Sequence, residues 1–97
     1  MATYVSLVNY TDQGIRNVKD SPKRLDAAKK LLKDMGGELK AFYLTMGAYD
    51  IVIVAEAPSD EAVAKFSLAV ASIGNVRTTT LKAFNEAEYR KIVAALP

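Results

Sequence analysis

Apolar residues recur along this chain with two rhythms, a period of two over short runs and a period near 3.6 over longer ones. The run Tyr4-Val5-Ser6-Leu7-Val8-Asn9-Tyr10 is rich in β-branched and aromatic residues and is bounded by polar ones, which predicts a strand. From Leu25 the spacing changes: Leu25, Ala28, Leu32 and Met35 share one helical stripe, and Lys29, Lys30 and Lys33 lie off it. Ser21-Pro22 marks the start of this helix, with Ser21 the expected N-cap and the proline at a position that needs no donor. Gly36-Gly37 marks its end. Leu39–Met46 reads as a second strand, with Leu39, Ala41 and Tyr43 on one face and Phe42, Leu44 and Met46 on the other. Tyr49–Glu56 reads as a third strand, and Gly47-Ala48 between the two predicts a tight hairpin. Met46 is expected to fill core.

Pro58-Ser59-Asp60-Glu61 opens a second helix, with Ser59 as its cap. Ala62, Val63, Phe66, Val70 and Ile73 form its buried stripe, and Gly74 stops it. Val76–Phe84 is a fourth strand whose run Thr78-Thr79-Thr80 suits a sheet edge. Asn85 and Glu88 have the spacing of a capping box and begin a last short helix expected to pack Tyr89, Ile92, Val93 and Leu96.

The order β-α-β-β-α-β-α over a single domain, residues 1–97, is the ferredoxin-like α+β arrangement, a four-stranded antiparallel sheet. Right-handed crossovers place strands 1 and 3 at its centre and both main helices on one face. A sheet covered on one side should alternate apolar and polar residues. Strand 3 does not: Ile51 and Ile53 point one way, Val52 and Val54 the other. Two helices cannot cover both faces, so a homodimer with facing sheets, a dimeric α+β barrel, is expected.

Composition narrows the chemistry. The chain has no Cys and no His, which removes thiolate nucleophiles, disulfides and the commonest general base and metal ligand. No metal and no cofactor is expected. The net charge of +2 is too small for a nucleic-acid footprint, and the lysines of Lys19–Lys40 are interleaved with Asp20, Asp26, Asp34 and Glu38. Base-stacking aromatics are missing from strand 3, which argues against RNA binding. There is no basic, apolar leader at Met1-Ala2-Thr3-Tyr4 and no apolar run near membrane length, so a cytoplasmic protein without membrane contact is expected.

Phosphate loops, dinucleotide fingerprints and nucleophile elbows are absent. Two stretches hold candidate site residues. Thr11–Asp20 is long for a strand-to-helix connection and dense in donors and acceptors; the alternative is a short helical turn capped by Thr11 or Asp12. At the hairpin, Gly47 would let a ligand approach bare backbone, and Tyr49 and Asp50 would offer a hydroxyl and a charge. The alternative is that the Asp50 carboxylate caps turn amides. Ala48 belongs to the same turn, and Tyr10, Asp12, Arg16, Tyr43 and Arg77 are further polar groups expected near a barrel mouth.

The segment Tyr4–Asn17, the Gly47-Ala48-Tyr49-Asp50 hairpin and Gly74-Asn75-Val76-Arg77-Thr78 together resemble the GYD domain family. The resemblance implies the dimeric α+β barrel superfamily and no assigned reaction. A looser pattern, Gly47-x-Tyr49-Asp50, a helix containing Phe66, then Val76-x-Thr78-x-Thr80, is similar to the effector-binding domain of Lrp/AsnC-type regulators. That similarity implies amino-acid binding at Gly47, Ala48, Tyr49 and Asp50. It covers the second half of the chain and lacks the regulators' N-terminal helix-turn-helix. Three functions follow as expectations: a small-molecule-binding or regulatory oligomeric module, a cofactor-independent enzyme of mono-oxygenase or isomerase type, or a structural interaction module. In the enzyme, Asp50 or Asp12 would be the base and Tyr49, Tyr10 or Arg16 would orient an oxyanion.

Overall fold

The computed structural model describes residues Met1–Pro97. Strand β1 (Ala2–Tyr10) leads into a short helix α1 (Asp12–Arg16), a single 3-10 turn (Val18–Asp20) and helix α2 (Ser21–Asp34). Strands β2 (Glu38–Leu44) and β3 (Ile51–Ala57) follow, then helix α3 (Asp60–Ser72), strand β4 (Val76–Ala83) and helix α4 (Glu86–Ala94). All strand pairs are antiparallel and the sheet order is β2-β3-β1-β4, so β1 and β3 are central and β4 is an edge.

Alternation along the strands sorts side chains onto two faces. Tyr4 and Val8 from β1 and Ile51 and Ala57 from β3 face α2 and α3 and are buried there together with Leu32 and Val63. Leu32 is 1 % exposed, and burying such a side chain stabilises the layer by about 1.5–3 kcal/mol. The other face carries Val5 paired with Val54 and Leu81, and Leu7 paired with Val52. None of these is buried. The molecule is 51 Å long and 18 Å thick, as one helical layer on one sheet requires.

Five local expectations are corrected. Ser21 does not cap helix α2: the preceding 3-10 turn runs directly into the helix, the N-cap position falls on Asp20 without a side-chain capping bond, and Ser21 is the first helical residue, its hydroxyl turned to Tyr10. The hairpin is not a tight two-residue turn: β2 stops at Leu44 and β3 starts at Ile51, leaving Thr45–Asp50 as the loop. Met46 lies at its tip, 98 % exposed, and fills no core. A bulge at Lys40 shifts the register, so Leu39 pairs with Ala55 on the helix side while Ala41 and Tyr43 lie opposite Val54 and Val52. Finally, α4 does not pack on its own domain: its capping box forms as expected, yet every residue from Glu86 to Ala94 is exposed, Tyr89 at 60 %.

Candidate functional site

The hairpin loop is held at its base by its own backbone and by β1. Thr45 donates its N–H to the Asp50 carbonyl (2.8 Å) and its hydroxyl to the Tyr49 carbonyl (2.7 Å). The Asp50 N–H donates to the Val8 carbonyl (2.9 Å), and Asp50 Oδ2 accepts the Tyr10 N–H (2.9 Å). Asp50 therefore satisfies the last amide of β1 and fixes the loop to the neighbouring strand; it does not cap amides of its own turn. Gly47 has φ +133° and open space around it, so glycine is required there for backbone conformation, not for room.

Thr11–Asp20 spends its polar groups on the fold. Thr11 caps α1 through the Gly14 N–H (3.1 Å), donates its own N–H to the Asn75 carbonyl (3.1 Å) and gives its hydroxyl to the Gly74 carbonyl (2.6 Å). Gln13 Nε2 donates to the Ile73 carbonyl (3.2 Å) and to Asn75 Oδ1 (3.1 Å). Gly14 is buried against the Asn75 carbonyl, where a Cβ would overlap the oxygen. The sequence alternative of a helical turn capped by Thr11 is what forms.

Among the candidate residues, the structure joins only Tyr10 and Asp50 directly. Gly47 and Ala48 are exposed at the loop tip with Tyr49 beside them, and Asp12 and Arg16 are exposed on α1. Tyr43, opposite Val52, and Arg77, opposite Asn9, lie on the uncovered sheet face. No cluster of three or more carboxylates forms a metal site, and no helix is long and apolar enough to cross a membrane.

Two arrangements were not anticipated. Between the sheet and the two main helices lies a cavity of about 100 Å³, lined mostly by apolar side chains. Tyr10 Oη and Ser21 Oγ, 3.1 Å apart, and the half-buried Arg24 line it. The signal was in the sequence: Ser21 and Arg24 stand seven and four residues before Ala28, a polar continuation of the apolar stripe. At the opposite end of β1, the buried Tyr4 hydroxyl donates to Asp60, whose carboxylate also meets Lys82 Nζ at 3.2 Å.

This cluster has a pH signature. The hydrogen bond to Asp60, then burial and the Asp60 charge, push Tyr4 up to about 12. The Tyr4 and Lys82 hydrogen bonds, with the Lys82 charge, hold Asp60 below the usual carboxylate range. A lowered carboxylate adds stability above its unfolded value near 4, and that stability is lost as pH falls through the folded value. Tyr4 contributes fully below about pH 10 and loses its share as pH rises through about 12. Asp60→Asn is accordingly expected to flatten the acid limb of a urea-midpoint profile between about pH 5 and 2, while leaving its shape near neutrality. An unchanged acid limb would show that the cluster does not contribute.

The comparisons agree with this architecture. A Thermus thermophilus protein named glutamine synthetase and cystathionine beta-lyase binding protein is 36% identical over 89 residues, covering 91% of this chain and 94% of that protein. The structure of TTHA0845, also from Thermus thermophilus, matches with a TM-score of 0.56 at 22% identity, over 88% of this chain and 95% of that one. A feast or famine regulatory protein of M. tuberculosis, solved with L-methionine, matches with a TM-score of 0.67 at 18% identity over 88% of this chain. The matched region is about half of that regulator, 51% of its chain, and the likeness establishes the shared ferredoxin-like fold. Because the family model for the GYD domain matches residues 4–93, nearly the whole chain, this protein belongs to the GYD domain family.

Proposed function

We propose that this chain is a cytoplasmic binding and regulatory module that works as a homodimer through its uncovered sheet face and docks onto enzymes. The observation that carries it is the pair of unpartnered apolar surfaces, the Val5/Leu7/Val52/Val54 face and helix α4. Four strands about 4.8 Å apart and about seven residues long give a sheet face of roughly 450 Å². A stable interface needs about 800 Å² per partner. The sheet alone falls short, and the exposed side of α4, with Tyr89, Ile92 and Val93, adds area toward it. A two-fold axis lets each copy cover the other with the same patch.

The enzyme-binding part of the proposal draws on the relative named for binding glutamine synthetase and cystathionine beta-lyase. At the end of the sheet, the hairpin tip Gly47–Asp50 is where a small polar ligand would meet bare backbone in an assembled dimer, with Tyr43 on the uncovered face and Asp12, Arg16 and Arg77 on neighbouring elements. Light scattering at micromolar concentration should give twice the chain mass, and removal of residues 86–97 should weaken the dimer at least tenfold. Sedimentation with a purified glutamine synthetase should show a complex. A monomeric mass would remove the dimer, and a glutamine synthetase that sediments alone would remove the proposed partner.

A further inference from the structure

We propose that the cavity between the sheet and helices α2 and α3 is a binding site for a short, branched aliphatic monocarboxylate. This rests on the reading of the chain as a binding module, but it places the ligand on the helix side, away from both the dimer face and the hairpin tip.

The apolar part of the site follows from small residues facing one another. Ala28 on α2, Ser67 on α3 and Ser6 and Ala55 on the sheet leave unfilled volume between larger neighbours such as Phe42 and Phe66. An apolar cavity of roughly 150 Å³ accepts benzene. A cavity of about 100 Å³ therefore suits a branched tail of about four or five carbons.

The polar end follows from Arg24. Its guanidinium donates to the Asn17 carbonyl (2.9 Å) and the Gly14 carbonyl (3.3 Å), which ties α2 to α1. A guanidinium has five N–H donors, so most remain available. None of the ion pairs of the chain includes Arg24, and it is half-buried. A partly desolvated cation without an anion is unfavourable, and a carboxylate that pairs with it gains a charge-assisted bond. The Tyr10 and Ser21 hydroxyls, already bonded to each other, retain one further O–H for the second carboxylate oxygen.

Selectivity follows from what the lining lacks. Of its 20 residues, none is Asp or Glu, so an ammonium group would enter without a partner. The site therefore takes the simple acid and rejects the amino acid that carries the same tail. This separates it from amino-acid binding of the kind seen in the regulator solved with L-methionine.

Amide-resolved NMR titration of the full chain tests the proposal with four probes. These are 3-methylbutanoate, 3-methylbutan-1-ol with the same tail and no charge, L-leucine with an added ammonium, and acetate without the tail. The expected result is saturable binding of 3-methylbutanoate at least tenfold tighter than the other three, with shifts at Ser6, Ala28 and Ser67. Arg24→Gln should weaken it at least tenfold and Arg24→Lys should restore part of the loss. Ala28→Leu, which fills the volume, should abolish it while the circular dichroism stays native. Equal binding of the alcohol, undiminished binding by Arg24→Gln, or shifts confined to Gly47–Asp50 would each overturn the site. The light-scattering mass is read separately, so loss of this site and loss of the dimer are distinguishable.

Discussion

Val52→Lys is expected to halve the mass measured by light scattering, raising the dissociation constant of the proposed dimer at least ~100-fold, or about 3 kcal/mol. Val52 stands near the middle of the uncovered face, between Leu7 on β1 and Tyr43 on β2. A two-fold interface would bury two such lysines per dimer among the apolar side chains of Val5, Leu7 and Val54, and a buried charge in apolar surroundings costs several kcal/mol. The monomer loses little, because the side chain faces solvent there. Native circular dichroism with half the mass is the expected combination. A variant that keeps the wild-type mass would show that the sheet face is not the interface.

Gly14→Ala is expected to have the largest effect on stability of any single methyl added to this chain. The new Cβ overlaps the Asn75 carbonyl oxygen, so α1 must lift off the Gly74-Asn75 turn. That movement threatens the Thr11 amide and hydroxyl bonds to Asn75 and Gly74 and the Gln13 bond to Ile73. At about 1 kcal/mol each, the loss is about 3 kcal/mol. A domain of this kind has only about 5–15 kcal/mol in total. The melting midpoint should fall by roughly 12 °C or more. Gly47→Ala is the comparison: nothing lies near its Cβ, so only the positive φ is penalised, at about 1–2 kcal/mol. If the two variants lose equal stability, the close approach at Gly14 does not matter.

That ranking reverses the emphasis of the sequence, in which Gly47 drew notice and Gly14 did not. A glycine beside Tyr49 and Asp50 invites a ligand, whereas a glycine inside Thr11–Asn17 shows no sign of what it touches. Its partner, Asn75, lies 61 residues away, and only folding brings them together. The same holds for Asp50. Its place at the start of β3 was legible, but its acceptor role toward the Tyr10 amide depends on the pairing of β1 with β3.

The cavity shows the limit from the other side. Ser21 and Arg24 sit on the stripe that predicts the buried face of α2, yet polar residues on such a stripe do not reveal whether facing residues fill the space. Volume is a property of the facing layers together, here Ala28 and Ser67 over Ser6 and Ala55. Helix α4 was legible as an element, because a capping box is local, and wrong in its packing, because amphipathicity names a buried side without naming what buries it.

By itself, then, the sequence determined what depends on near neighbours in the chain. Periodicity and caps set the elements and the edge character of β4, and the two-faced β3 announced a surface in need of cover. The lack of His and Cys set the available chemistry. Tertiary structure alone decided the six-residue hairpin loop, the bulge at Lys40, the clasp of Gly14 on Asn75, the Tyr4–Asp60–Lys82 cluster and the cavity beside Arg24. Each of these joins segments distant in sequence through contacts or volumes of a few ångströms, and residue type fixes such distances only after the backbone has placed them.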